Sequence, residues 1–156
     1  ALRAISEIDR MRFINTYYHP HHNALTLLVD DCLEQHNQCL IIDCHSFPAQ
    51  PLPYESDINR PDICIGTDAY HTSAELKDCL SKAFETSDYI VAIDSPFCGS
   101  IVPLKHYHLD RRVSSVMIEV NRSLYSYPTG FKRLQSDLTH AILQAATIRK
   151  NHISGE

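Results

Sequence analysis

The sequence predicts an α/β domain built on a largely parallel sheet. Three observations carry this. The apolar runs at 39–43, 62–66 ("DICIG") and 89–93 ("YIVAI") have the length and composition of buried strands. Between the last two lies an amphipathic stretch, "HTSAELKDCLSKAFE", and the C-terminal part carries another at 131–148. Strands that alternate with helices in this way pair in parallel, because a helix is the usual crossover between parallel neighbours.

The elements follow in order. Residues 6–17 read as a helix with Ser6 as N-cap and Asp9 three residues on. Residues 23–36 are a second helix, since Leu25, Leu28, Val29, Cys32 and Leu33 recur on one face. The strand at 39–43 then runs into Asp43-Cys44-His45-Ser46, so acid, thiol, imidazole and hydroxyl follow a buried run. A long proline-bearing loop, "CHSFPAQPLPYESDINRP", leads to the strand at 62–66. In the next helix Thr72 and Glu75 make a capping box, and Leu76, Cys79, Leu80, Ala83 and Phe84 make the apolar stripe. The strand at 89–93 is followed by "DSPFCGSIVPLKHYHL". In 114–122, Val116, Ile118 and Val120 alternate with Met117, Glu119 and Asn121, as a strand requires. The last helix carries Leu134, Leu138, Ala141, Ile142 and Ala145 on one face. Ligands of parallel sheets bind beyond the carboxyl ends of the strands, so the loops after the strands are where a site is expected.

The 156 residues make one domain, 1–156, with no internal boundary or repeat. With 14 basic and 19 acidic residues and no Lys/Arg stripe, the chain argues against a nucleic-acid footprint. No run is long enough to cross a bilayer, and no signal-peptide pattern is visible. The six cysteines include no C-x-x-C pair, so they read as free thiols of a cytoplasmic protein and not as a structural zinc knuckle.

Four side chains are candidates for chemistry, and each has a plain alternative. His45 is either a metal ligand or base held by a strand end, or a hydrogen-bonded loop histidine. Glu119, inside an apolar strand, either faces solvent or is buried in a site, where burial would raise its pKa and suit it to proton transfer. Arg60 and Arg122 stand at strand ends, where an arginine either clamps a carboxylate with both arms of its fork or joins a surface ion pair. Asn121 lies between Glu119 and Arg122. The clusters "HPHH" and "HYH" lack the helical spacing of a shared metal face. Ser46 beside His45 is not in a G-x-S-x-G elbow, which argues against an esterase.

Five blocks, "YYHPHHNAL" (17–25), "IIDCHSFP" (41–48), "RPDICIGTD" (60–68), "PFCGSIVPLKHY" (96–107) and "IEVNRSLY" (118–125), resemble the N-formylglutamate amidohydrolase family in content and order. That family is related to zinc carboxypeptidases and aspartoacylase-like deacylases. The resemblance implies a three-layer αβα domain with a mostly parallel central sheet, zinc carboxypeptidase-like. It implies hydrolysis of the amide of a small N-acyl amino acid such as N-formyl-L-glutamate, to formate and glutamate. It implies a zinc ion with His45 as one ligand and Glu119 as general base. Asn121 and Arg122 would meet the substrate, and Arg60 is a second carboxylate clamp. His22 and Gly99 belong to the shared blocks without an assigned role. Two departures stand out. The segment in which the family carries its other two zinc ligands, a histidine closely followed by an acid, is not found, so the chain resembles the C-terminal two-thirds of such a domain. Asp94 stands where the family commonly has asparagine. A second reading follows from the first departure: a catalytically incomplete member that binds an acidic ligand.

Overall fold

The computed structural model describes residues 4–51, 53 and 60–151, the last three as backbone only. Its elements are α1 (Glu7–Phe13), α2 (His19–His36), β1 (Cys39–Phe47), β2 (Ile63–Gly66), α3 (Ala74–Thr86), β3 (Val91–Ile93), β4 (Val113–Asn121) and α4 (Pro128–Asn151). The four strands form one sheet in the order β1-β4-β2-β3. Residues 52 and 54–59 of the long loop after β1 lie outside the described residues.

The two helices expected at the start are joined. A π-helical turn, Ile14–Tyr18, links α1 to α2, and the N–H of His19 reaches back to the carbonyl of Ile14. Pro20 explains the wider turn: it has no N–H, and its ring would clash with the carbonyl four residues earlier in a regular helix. Ser6 caps α1 by accepting from the Asp9 N–H at 3.1 Å. The cap of α3 is Ser73, whose hydroxyl accepts from Leu76 N–H at 3.1 Å, and not Thr72. The Thr72 hydroxyl instead donates to the Ser115 carbonyl at 2.6 Å and accepts from the Asp68 N–H.

β1 pairs with β4 in parallel and β2 with β3 in parallel, but β2 and β4 are antiparallel. The carboxyl ends of β1 and β4 therefore point to one end of the sheet and those of β2 and β3 to the other. The loops after β1 and β2 do not meet at one end, as a wholly parallel sheet would have arranged. At the end of the sheet where β1 and β4 finish, β2 begins beside β4, with Arg60, Pro61 and Asp62 just before it.

Alternate strand residues pack in opposite directions. Leu40, Ile42, Ile63, Ile65, Val116, Ile118 and Val120 join Leu76, Leu80, Phe84, Leu134, Ala141 and Ala145 of α3 and α4. Cys39, Ile41 and Val113 pack with Val29 and Leu33 of α2 and with Val102. Leu28, expected on the buried face of α2, is 67% exposed.

The passage 97–102 lies along the α2-side face of β4. Phe97 lies opposite Phe47, with ring centroids 5.7 Å apart. Further along, a Cβ on Gly66 would collide with Met117 and come 2.5 Å from the Gly99 carbonyl oxygen. Next, the Ser115 hydroxyl donates to the Ile101 carbonyl at 2.7 Å. Thus every residue of β4 is buried, polar ones included.

The turn that follows is fastened by ion pairs. Asp30 of α2 takes Lys105 at 2.7 Å and His106 at 2.8 Å, while Asp110 takes Arg112 at 2.7 Å. The Arg112 guanidinium holds the Asp110 carboxyl down at about 2. A carboxyl depressed on folding binds fewer protons in the native state, so its stabilisation is present above its ordinary value of 3.8 and is lost as pH falls towards 2. Stability measured by urea unfolding is expected to decline over that window, and Asp110→Asn is expected to flatten the decline. An unchanged slope would show that this pair does not stabilise the fold.

Candidate active site

β1 continues four residues past the expected end, so Asp43, His45 and Phe47 are strand residues on one face. The register sets His45 beside Glu119 and Phe47 beside Asn121 on β4, and Cys64 of β2 beside Glu119 on the other side. Parallel or antiparallel, directly paired residues point to the same face. The sheet thus brings Asp43, His45, Glu119 and Cys64 onto one surface.

Glu119 is the residue that burial singles out. It is 8% exposed, which removes the solvent-facing alternative. Its Oε2 is buried without a hydrogen-bond partner among the described residues. Burial raises its pKa; the charge of His45 opposes that rise, Asp43 adds to it and Arg122 opposes it. A carboxyl so placed takes up a proton more readily than an ordinary glutamate, as an acid–base group at neutral pH needs.

His45 is more open, its side chain 49% exposed, and its Nε2 meets Asp43 Oδ1 at 2.7 Å. The sequence shows Asp43 at i−2, the spacing that puts two strand side chains on one face, but the aspartate was not singled out as a partner. Ser46 points to the opposite face from His45, so the two cannot act as a pair.

Arg60 lies on the same face, its guanidinium 5.6 Å from the centre of the Phe47 ring. Arg122 is bound to the end of β1: its Nε donates to Ser46 Oγ at 3.2 Å and its Nη2 to the Ser46 carbonyl at 3.1 Å. Asn121 is 5% exposed and bonded within the protein. Its amide donates to the Pro61 carbonyl at 3.0 Å, and its oxygen accepts from the Ser123 N–H and hydroxyl, capping the 3₁₀ turn Arg122–Tyr125. Asp94 has φ 54°. Both its oxygens hold Thr67, from N–H and hydroxyl at 2.6 Å each.

The sequence, with this sheet, resolves to a family. Its model, N-formylglutamate amidohydrolase, matches residues 1–126. The chain belongs to the N-formylglutamate amidohydrolase family. The crystal structure of N-formylglutamate amidohydrolase from Ralstonia eutropha is 27% identical with a TM-score of 0.77, covering 99% of this chain and 57% of that one. A gene product of Agrobacterium tumefaciens shares the fold, with 15% identity and a TM-score of 0.68, covering 92% of this chain and 54% of that one. The chain thus spans little more than half the length of either. No curated protein matches it.

The zinc ion implied by the resemblance to this family can be tested against the donors at hand. A catalytic zinc takes three protein ligands. Among the described residues no group of three His, Cys, Asp or Glu side chains converges. His45, already facing Asp43, is one donor where three are needed, so these residues alone do not fit a catalytic zinc site.

Proposed function

We propose that the protein hydrolyses the amide of a small N-acyl amino acid, with N-formyl-L-glutamate as substrate and formate and glutamate as products. The observation that carries this is Glu119: a buried carboxyl with an unpartnered oxygen, beside His45 and on the face where Arg60 lies. Glu119 takes a proton from the attacking water; the oxygen adds to the acyl carbon, the C–N bond breaks, and the proton passes to the leaving amine. Arg60, which lies over the Phe47 ring on the face of Glu119, is the residue we assign to the substrate carboxylate. Asn121 fixes the corner at Pro61 that sets Arg60 in place. His45 is the zinc ligand we assign to this chain, and the remaining donors would come from outside the described residues. The family's three-layer αβα arrangement is supported by the opposite packing of alternate strand residues. All six cysteines are free, in keeping with a cytoplasmic setting, and no described helix is long and apolar enough to cross a membrane.

The test is formate release from N-formyl-L-glutamate by the full-length protein. Arg60→Ala is expected to raise KM by about 10- to 100-fold, the worth of a lost charge-assisted fork, with a smaller change in kcat. An unchanged KM would move the clamp to Arg122. A second reading is an acidic-ligand binder that keeps the fold without a complete metal site; glutamate binding by calorimetry without any formate release would establish it.

A further inference from the structure

We propose that Cys64 and Phe97 are positioning residues for Glu119: the Cys64 thiol anchors the loop that lays Phe97 across the carboxyl. This role rests on the reading of Glu119 as the acid–base group.

The sheet order makes the argument. β4 lies between β2 and β1, and Glu119 is paired with Cys64 on one side and His45 on the other. The Cys64 side chain is fully buried, and its Sγ–H donates to the Phe97 carbonyl at 3.1 Å. The ring of the same Phe97 packs on Phe47 of β1, the partner of Asn121. A residue bonded to β2 at one end and packed on β1 at the other must cross β4 at the level of Glu119 and Asn121. Phe97 is therefore a roof over the carboxyl, and it leaves the side of His45 open.

The last residue of β2 and the one after it hold the same loop. Gly66 has no Cβ to push the Gly99 carbonyl away, and Thr67 binds both oxygens of Asp94. Gly99 itself adopts φ 88°, a conformation natural to glycine. Cys64 is the one of these contacts that is both inside the sheet and beside Glu119. Burial raises its pKa, so the group remains a thiol and keeps the hydrogen it donates.

The experiment compares Cys64→Ala, Cys64→Ser and Phe97→Ala in the full-length protein by formate release and by amide hydrogen exchange. Cys64→Ala is expected to lower kcat by about 10- to 100-fold with KM within a few-fold, and to speed exchange across 97–101 while β4 stays protected. Cys64→Ser keeps an O–H donor and is expected to recover most of both losses. Phe97→Ala removes the roof but not the tether, so it is expected to lower kcat with little change in exchange. Wild-type kcat in Cys64→Ala or in Phe97→Ala overturns the proposal, as does an alanine variant that serine does not rescue. A wild-type protein that releases no formate overturns the reading of Glu119 instead; exchange in the alanine variant still shows whether Cys64 holds the loop.

Discussion

Glu119→Gln in the full-length protein is expected to lower formate release by about 10²- to 10⁴-fold while the protein stays folded and still binds substrate. Glutamine keeps the shape of the side chain but cannot accept and return a proton. The carboxyl is buried with one oxygen unpartnered, so its charged form is costly in the folded state. Removing it is expected to leave the thermal midpoint unchanged or raise it, the usual trade between stability and function. Loss of turnover together with a lowered midpoint would mean that Glu119 holds the sheet together. Retained turnover would refute its role as base.

Phe84→Ala is expected to have the largest effect on stability, about 3–5 kcal/mol. Phe84 is fully buried in the cluster that joins α3, α4 and the sheet. Its ring meets Tyr89 edge-on at 6.1 Å, and the Tyr89 hydroxyl donates to Asp137 of α4 at 3.0 Å. The void would thus open where three elements meet, leaving little freedom to collapse around it. For a domain whose total stability is typically about 5–15 kcal/mol, that is about a fifth of the whole or more. Urea unfolding should show a lower midpoint at an unchanged m-value. A loss below about 1 kcal/mol would show that α4 moves in to fill the space.

The helices and strands were legible because their periodicities were strong. The α3 stripe, the alternation in β4 and the C-terminal helix all lie where the pattern put them. Strand direction was legible only in part: β1–β4 and β2–β3 are parallel as expected, and β2–β4 is not. Nothing local distinguishes a strand entering a sheet parallel from one entering antiparallel when both faces are buried, and β4 is such a strand. The continuation of β1 through His45 was hidden for a similar reason. "DCHS" is polar, and polar residues after an apolar run look like a loop until a neighbouring strand is known to pair with them. Glu119 was visible as an acid among apolar residues, but its burial depends on the passage 97–102, which has no periodic signal of its own. Asn121 and Asp94 show a further limit: short polar side chains suit ligands and turns alike, and here their bonds run to Pro61, Ser123 and Thr67.

The pairing of β1 with β4 fixes the order in which the molecule can be made. The segment from β2 through α3 to β3 is local and can form as a unit once residue 93 is available. Cys39 and Val113 are register partners 113 − 39 = 74 residues apart. At ~5–20 residues per second of synthesis, β1 waits about 4–15 s for β4, its one neighbour in the sheet among the described residues. His45 and Glu119 meet only when β4 slots between two strands already present. The face that carries His45 and Glu119 is therefore the last part of this sheet to be completed, so the two side chains are not brought together before β4 is in place.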